Sequence, residues 1–312
     1  MLMIKNGAFL LKKCKSFLMA IFLLFSFFLF SCKTTVNVSN EVNPLDLIDN
    51  KSSFYISIPV RQDVNLVQKM IKSNVPSLSD KNALEIAERT QIIYAGLNKK
   101  RKKTEIQIAG KCSIPKIAIS NVFTKKNGWQ TEDLSFPLVE KKQKKYSVYS
   151  QKGFDISFPN EHTAVLGRDV KEMIENFHYL SNQENESSSL QKENFDTNRL
   201  SPQIYQWLSD SSEVRFYAEK PQSFLSTLTG AALDLKLVYV KGLMVTDPKN
   251  DRQYLMDLEF EFKNPKLVTA ARGILTLALG LTDSEVSQPE PNHLVISDIK
   301  ISKEQLYKIL VI

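Results

Sequence analysis

The side chains best suited to nucleophilic or metal chemistry are few and widely spaced in this sequence. It contains three cysteines and three histidines, and none of His162, His178 and His293 has a second histidine or cysteine three to five positions away. That spacing would preassemble a metal site on one element, so its absence disfavours a metal site. No G-x-S-x-G elbow, H-E-x-x-H motif or phosphate-binding glycine loop occurs either. These observations favour a protein that is not an enzyme and carries no catalytic site.

Cys112 is the cysteine that a thiol-nucleophile hypothesis would use. It alternates in step with Ile106 and Ile108 along a predicted strand, which places it on the buried side of that strand. A buried cysteine behaves as a small apolar residue whose thiolate is unfavourable. We therefore expect Cys112 to be a core residue. His178 has a structural interpretation too, as a residue ending a helix whose dipole a cation would complement.

Three acidic residues, Asp257, Glu259 and Glu261, share the solvent side of another predicted strand. They could hold a calcium ion, because carboxylate oxygens are its usual ligands. The simpler interpretation is a solvated strand face, on which outward lysines such as Lys236 provide cross-strand partners. We expect the second arrangement.

Basic residues form two clusters in the first half of the chain, one of them at the tip of a predicted hairpin. The hairpin cluster is Lys99, Lys100, Arg101, Lys102 and Lys103, and the other is Lys141, Lys142, Lys144 and Lys145. Such clusters can contact anionic lipid head groups. The alternative is a solvated turn whose charges protect strand edges from association. The second interpretation is the one we prefer, and the first stays open.

The N-terminus has the organisation of a secretion signal. Residues 1–16 contain four lysines and no acidic residue, and residues 17–30 are apolar except for Ser26. This charged region followed by an apolar region is typical of signal peptides. The apolar run is shorter than the roughly 20 residues that cross a bilayer, so a permanent transmembrane helix is the poorer interpretation.

The signal ends in Leu29-Phe30-Ser31-Cys32, which resembles the lipobox of bacterial lipoproteins. The resemblance implies that the Cys32 sulfur carries a diacylglycerol, that cleavage occurs just before it, and that its new amino group is acylated. Phe30 departs from the small residue more common at that position. Two or more acyl chains hold a protein stably on a membrane. By analogy with bacterial sorting rules, Lys33 in place of Asp favours the outer membrane over the inner.

The mature chain is predicted to contain two patterned regions, residues 53–180 and 202–312. Residues 32–52 are interpreted as a lipidated tether and residues 181–201 as a polar linker, because both are polar and lack sustained periodicity. Charge divides with the regions. Residues 33–180 carry 23 Lys and Arg against 16 Asp and Glu, whereas residues 181–312 carry 14 against 18.

Both regions show the same order of predicted elements: strand, helix, two strands, helix, strand and helix. A Pro-Lys helix start occurs in each, at Pro115 and Pro265. Residues 169–172 and 302–305 each fit a capping box before the last helix. We therefore predict an α+β fold of two tandem duplicated domains, each an antiparallel sheet with helices packed on one face, as in ferredoxin-like split βαβ arrangements. The alternative is two α+β stretches that merely look alike.

The sequence favours a lipid-anchored envelope protein that acts as a binding or scaffolding module, with an envelope protein as partner and no nucleic acid. One alternative is a carrier of a lipid-like ligand, suggested by the predicted helix over residues 265–281, which is apolar over more than one stripe. Packing of that helix on two sides is the expectation we prefer. A further alternative is a hydrolase with an unrecognised site. No cofactor is implied beyond the acyl chains at Cys32.

Overall fold

One large antiparallel sheet forms the framework of the protein. The computed structural model describes residues 41–76, 78–100, 103–137, 143–182, 195–210, 212–230, 233–279 and 284–310. Within these residues the sheet has twelve strands. They are β1 (Phe54–Pro59), β2 (Thr90–Lys100), β3 (Lys103–Cys112), β4 (Gln130–Pro137), β5 (Gln143–Gln151), β6 (Phe154–Ser157), β7 (Thr163–Gly167), β8 (Val214–Ala218), β9 (Leu237–Asp247), β10 (Asn250–Phe262), β11 (Glu285–Ser287) and β12 (His293–Ser302).

Most of the described helices follow a strand through a short connection. They are α1 (Val64–Asn74), α2 (Asp80–Glu88), α3 (Lys116–Val122), α4 (Lys171–Ser181), α5 (Pro202–Ser209), α6 (Gln222–Thr229), α7 (Val268–Ala278) and α8 (Lys303–Leu310). The predicted α+β class is confirmed by this mixture of helices with an antiparallel sheet.

The strand order is β11-β12-β10-β9-β8-β1-β2-β3-β7-β6-β5-β4. The two predicted regions therefore meet at β1 and β8, which pair antiparallel with Ile56 opposite Phe216. Outward from this pair, β1-β2-β3-β7 and β8-β9-β10-β12 follow the same succession of elements. This order agrees with the predicted duplication, which stays a prediction. The regions share one sheet because each would otherwise expose an unpaired edge at β1 or β8.

Side chains alternate between the two faces of the sheet, and both faces are covered by helices. Face A is the side to which Ile56 and Ile58 of β1 point, and α1, α6, α7 and α8 contribute to its core. Face B is the side to which Tyr55 points, and α4 and α5 pack there. The expectation of helices on one face is therefore wrong for α4 and α5. In particular, α4 and α8 occupy corresponding positions in the sequence but cover opposite faces.

Residues 42–52 form part of the fold, and we call this segment the strap. Leu45, Leu47 and Ile48 are 1%, 1% and 3% exposed and belong to the core of face B. The Asn43 side chain accepts a hydrogen bond from the Leu45 N–H, which starts a 3₁₀ turn. The predicted tether over residues 32–52 is therefore wrong for its last eleven residues. The apolar residues of the strap pack in the core of face B, although they are few and do not repeat with the period of a helix or a strand.

The predicted linker over residues 181–201 is also partly folded. Ser181 is the last residue of α4, and Phe195 and Leu200 are buried. The Asn50 side chain donates a hydrogen bond to the carbonyl of Thr197, which ties this segment to the strap. The remaining part, residues 183–194, lies outside the described residues.

The two predicted capping boxes have different outcomes. The Ser302 side chain accepts a hydrogen bond from the Gln305 N–H while the Gln305 side chain accepts one from the Ser302 N–H, so this box is confirmed. Glu172 instead bonds Lys51 and Asn198, which are distant in sequence. The predicted box at residues 169–172 is therefore wrong, because tertiary partners compete for its glutamate.

Candidate functional site

An apolar cavity of about 110 Å³ lies on face A, between the sheet and the helices α1 and α2. Val75 after α1, Ile86 of α2, Ile108 of β3 and Phe123 after α3 are among the residues that line it. Thr90 supplies a hydroxyl to the wall, but that hydroxyl donates a hydrogen bond to the Ile86 carbonyl at 2.7 Å. The cavity therefore presents almost no polar group that a water molecule could bind.

The cavity exists because two small residues face each other across neighbouring strands. Gly110 of β3 is the register partner of Ala164 of β7, and both line the cavity. A Cβ added at Gly110 would lie 3.3 Å from the Ile92 carbonyl oxygen, so a larger residue there would be crowded by the backbone. Larger residues at this pair would fill the space that the surrounding side chains leave open.

A smaller hollow of about 40 Å³ adjoins the cavity between α2 and α3, and we call it the α2–α3 groove. Asn82, Glu85 and Arg89 line the groove from α2. Four apolar residues line both spaces, and they are Ile86, Ile114, Phe123 and Phe158. The groove and the cavity are thus separated by a shared layer of side chains.

Cys112 lies in the cavity wall and is 3% exposed. Burial raises the pKa of its thiol to about 12, so the thiolate is scarce at neutral pH. Its N–H donates a hydrogen bond to the His162 carbonyl. The prediction of a core cysteine is confirmed, and the residue does not have the environment of a nucleophile.

His178 is buried at the end of α4, where the helix-dipole role was expected. Its ring stacks on Phe136 with centroids 5.1 Å apart, Nδ1 lies 3.1 Å from the Tyr146 hydroxyl, and Nε2 lies 3.2 Å from the Pro137 carbonyl. The residue therefore links α4 to the β4–β5 hairpin. Within the described residues, no group of three or more His, Cys, Asp or Glu side chains could hold a metal ion.

The acidic row on β10 is engaged in pairs on face B. Glu259 lies 2.9 Å from the Lys241 ammonium and accepts a hydrogen bond from the Tyr239 hydroxyl at 2.8 Å. Lys236, which was expected to serve the row, pairs instead with Asp234 of its own loop. The expectation of a cross-strand lysine partner is confirmed for Glu259, with Lys241 in place of Lys236.

Only some of the other candidate residues from the sequence lie in the part of the chain that the structure describes. Cys32, Arg101, Lys102, Lys141 and Lys142 lie outside the described residues. Lys99 and Lys100 end β2 and Lys103 begins β3, so the first basic cluster lies at a hairpin tip as predicted. Their contact with an anionic surface stays a prediction.

Helix α7 differs from the expectation for residues 265–281. Residues Pro265–Leu267 form a 3₁₀ turn, and α7 buries one stripe of Val268, Ala271 and Leu275. Ile274 is 42% exposed and Leu277 is 85% exposed. The expectation that this helix packs on two sides is therefore wrong.

In the described part of the chain, no helix has the length and apolar character needed to cross a bilayer.

A family model described as "Outer membrane-associated lipoprotein TP0453" matches residues 39–307. The protein is thus an outer membrane-associated lipoprotein. Specifically, the chain belongs to the family of that description. The membership confirms the recognition of a bacterial lipoprotein and the outer-membrane location, whereas the family itself was not recognised from the sequence.

Solved structures show the same fold. "Structure of crystal form I of TP0453" is 19% identical, with a TM-score of 0.61, and covers 86% of this chain and 97% of that chain. "Structure of crystal form III of TP0453" is 19% identical, with a TM-score of 0.60, and covers 87% of this chain and 99% of that chain. None of the curated proteins compared with this sequence matches it.

Proposed function

We propose that this outer membrane-associated lipoprotein binds an apolar segment of a lipid-like molecule in the cavity on face A. The observation that carries the proposal is the pairing of Gly110 with Ala164, which leaves a space lined almost entirely by apolar groups. Apolar cavities of this order stay dry and bind small apolar molecules. Each methylene that enters is expected to contribute about 0.8 kcal/mol. The cavity therefore favours the carrier hypothesis over the scaffolding hypothesis, which the sequence alone had favoured.

The test fills the cavity and measures binding of an uncharged chain. Residues 33–312 without the lipid contain the whole compact unit Val42–Ile312 and are suitable for calorimetric titration with 1-decanol. The wild-type chain should bind decanol, and Ala164→Leu should not, because its side chain occupies the space. The exposed residue Ala270 of α7 provides the control, since Ala270→Leu leaves the cavity unchanged. Equal binding by wild type and Ala164→Leu would refute the proposal.

Lipid attachment at Cys32 is part of the same proposal, because an anchored binding protein exchanges its ligand with a nearby membrane. Fatty-acid labelling of cells should mark the wild-type protein and leave Cys32→Ala unmarked. Equal labelling would place the acyl chains elsewhere. We expect five basic residues to orient the anchored protein by contact with anionic head groups. They are Lys99, Lys100, Arg101, Lys102 and Lys103.

A second candidate function is the scaffolding role, and the exposed side of α7 favours it. Ile274 and Leu277 lie three positions apart and therefore share one side of the helix. Exposed apolar residues grouped in this way mark contact sites. A partner that binds here should be captured by the wild-type protein from solubilised envelope and lost with Leu277→Ser. The hydrolase alternative gains no support from Cys112, because its thiol is buried with a raised pKa.

A further inference from the structure

The proposed function does not specify how the ligand enters the cavity or which polar group the ligand carries. The α2–α3 groove adjoins the cavity, and only side chains separate the two spaces. Phe123 lines both, and its ring packs between Trp129 at 4.8 Å and Phe158 at 5.4 Å. Rotation of such side chains is a much smaller change than displacement of a helix. The shared lining therefore makes the groove the route that we assign to the ligand.

Arg89 lines this groove. Hydrogen bonds hold its backbone, and its guanidinium is exposed to solvent. Its N–H donates to the Glu85 carbonyl, and its own carbonyl accepts from the Ser113 N–H at 2.8 Å. The side chain is exposed, and among the described residues no ion pair engages its guanidinium. Guanidinium groups bind carboxylates and phosphates through paired hydrogen bonds. A cation held at the edge of an apolar route is suited to an anionic head group.

We propose that the ligand is an anionic amphiphile with one acyl chain, which enters through the α2–α3 groove and places its head group against Arg89. This inference rests on the proposed function of the cavity. The size of the cavity limits entry to the end of one chain, because about 110 Å³ is less than the roughly 150 Å³ of a cavity that holds one benzene molecule, so the other carbons of the chain lie along the α2–α3 groove. Two acyl chains do not fit beside each other in that space.

Glu85 refines the position of the head group. It lines the same groove one helical turn before Arg89, and its carboxylate repels an anion. The head group must therefore lie at the Arg89 end of the groove, near the C-terminus of α2. Removal of the Glu85 charge should strengthen binding of an anionic ligand, whereas removal of the Arg89 charge should weaken it.

The ligand is expected to come from outside the chain. Val42, at the start of the strap, is buried in the core of face B, whereas the cavity opens on face A. The sheet therefore lies between the strap and the proposed site. The protein's own acyl chain is a competing occupant, and the experiment includes it.

The experiment compares three ligands with the same chain, decanoate, 1-decanol and decylammonium, by calorimetric titration of residues 33–312. Wild type should bind decanoate most tightly and decylammonium least. Arg89→Gln should lower decanoate affinity about tenfold, the size expected for a lost charge-assisted hydrogen bond, and leave decanol unchanged. Glu85→Gln should raise decanoate affinity. Arg252→Gln, at the exposed tip of the β9–β10 hairpin, is the matched control and should change nothing.

The outcomes separate the two proposals. If no ligand binds, the proposed function fails. If decanol and decanoate bind equally and Arg89→Gln has no effect, the cavity binds chains and the head-group assignment is wrong. If the lipidated protein in nanodiscs does not bind decanoate that the unlipidated chain binds, the protein's own acyl chain fills the cavity and the external ligand is wrong. Unchanged melting temperatures show that each variant is folded.

Discussion

The Asp63 carboxylate accepts a hydrogen bond from the Tyr254 hydroxyl at 2.9 Å, across 191 positions of the chain. The same carboxyl group accepts the Leu66 N–H at the start of α1 and lies 3.0 Å from the Lys303 ammonium of α8. Desolvation raises the pKa of the Tyr254 hydroxyl, and the neighbouring Asp63 charge raises it further. One buried side chain thus connects elements from both halves of the sheet.

Asp63→Ala should lower the free energy of unfolding by roughly 2 to 4 kcal/mol, because it removes a helix cap and leaves a buried hydroxyl without its acceptor. Urea unfolding measures this change. Asp234→Ala is the control, since Asp234 and its partner Lys236 are both exposed and the variant should unfold at the same urea concentration as wild type. A loss at Asp63 no larger than the control's would show that the connection contributes little.

Ala164→Leu should raise the free energy of unfolding by about 1 kcal/mol, because added carbon atoms fill an existing cavity. The same variant should lose decanol binding, so stability and binding change in opposite directions. Urea unfolding beside Ala270→Leu provides the comparison. A destabilised Ala164→Leu would mean that the side chain meets packed atoms rather than open space.

Leu45→Ala should destabilise the protein by roughly 2 to 5 kcal/mol, as expected for truncation of a fully buried leucine. Val238→Ala, at a position 42% exposed, should have a much smaller effect. Thermal unfolding of both variants checks this. If Leu45→Ala behaves like Val238→Ala, residues 42–52 act as a tether and the strap does not belong to the core.

Cys112 should resist alkylation in the folded protein. Its pKa is raised to about 12 by burial, so the reactive thiolate is scarce at pH 8, and the side chain is closed to reagent. Iodoacetamide should modify it rapidly in urea and slowly in buffer, as followed by mass spectrometry. Decanol should slow the reaction further, because Cys112 lines the proposed binding cavity. Rapid labelling of the native protein would contradict this description.

Local patterns predicted the elements well where their partners are close in sequence. The alternation of Ile106, Ile108 and Cys112 correctly placed β3 and its buried side, and Ser302 with Gln305 forms the predicted cap. Both depend on residues within a few positions of one another. Glu172 fits the same cap motif but bonds Lys51, 121 positions away, so its sequence neighbours could not reveal its role.

The cavity was beyond prediction for a related reason. Gly110 and Ala164 become opposed only when β3 pairs with β7 in one register, and no local pattern specifies that register. The face covered by each last helix was equally hidden, since α4 and α8 have similar amphipathic patterns and pack on opposite sides. Charge and helix position could suggest Arg89 as exposed, but not that it lies beside a hollow.

The contact of β1 with β8 bears on how the protein forms after export. Tyr55 pairs with Tyr217, so β1 lacks its partner on one side until β8, which lies much later in the chain, has also been translocated. Until then β1 presents unsatisfied amides and carbonyls along one side, a template on which other extended chains could assemble. Contacts so distant in sequence also slow folding. A newly exported molecule is therefore most prone to misassembly until its C-terminal half has crossed the membrane.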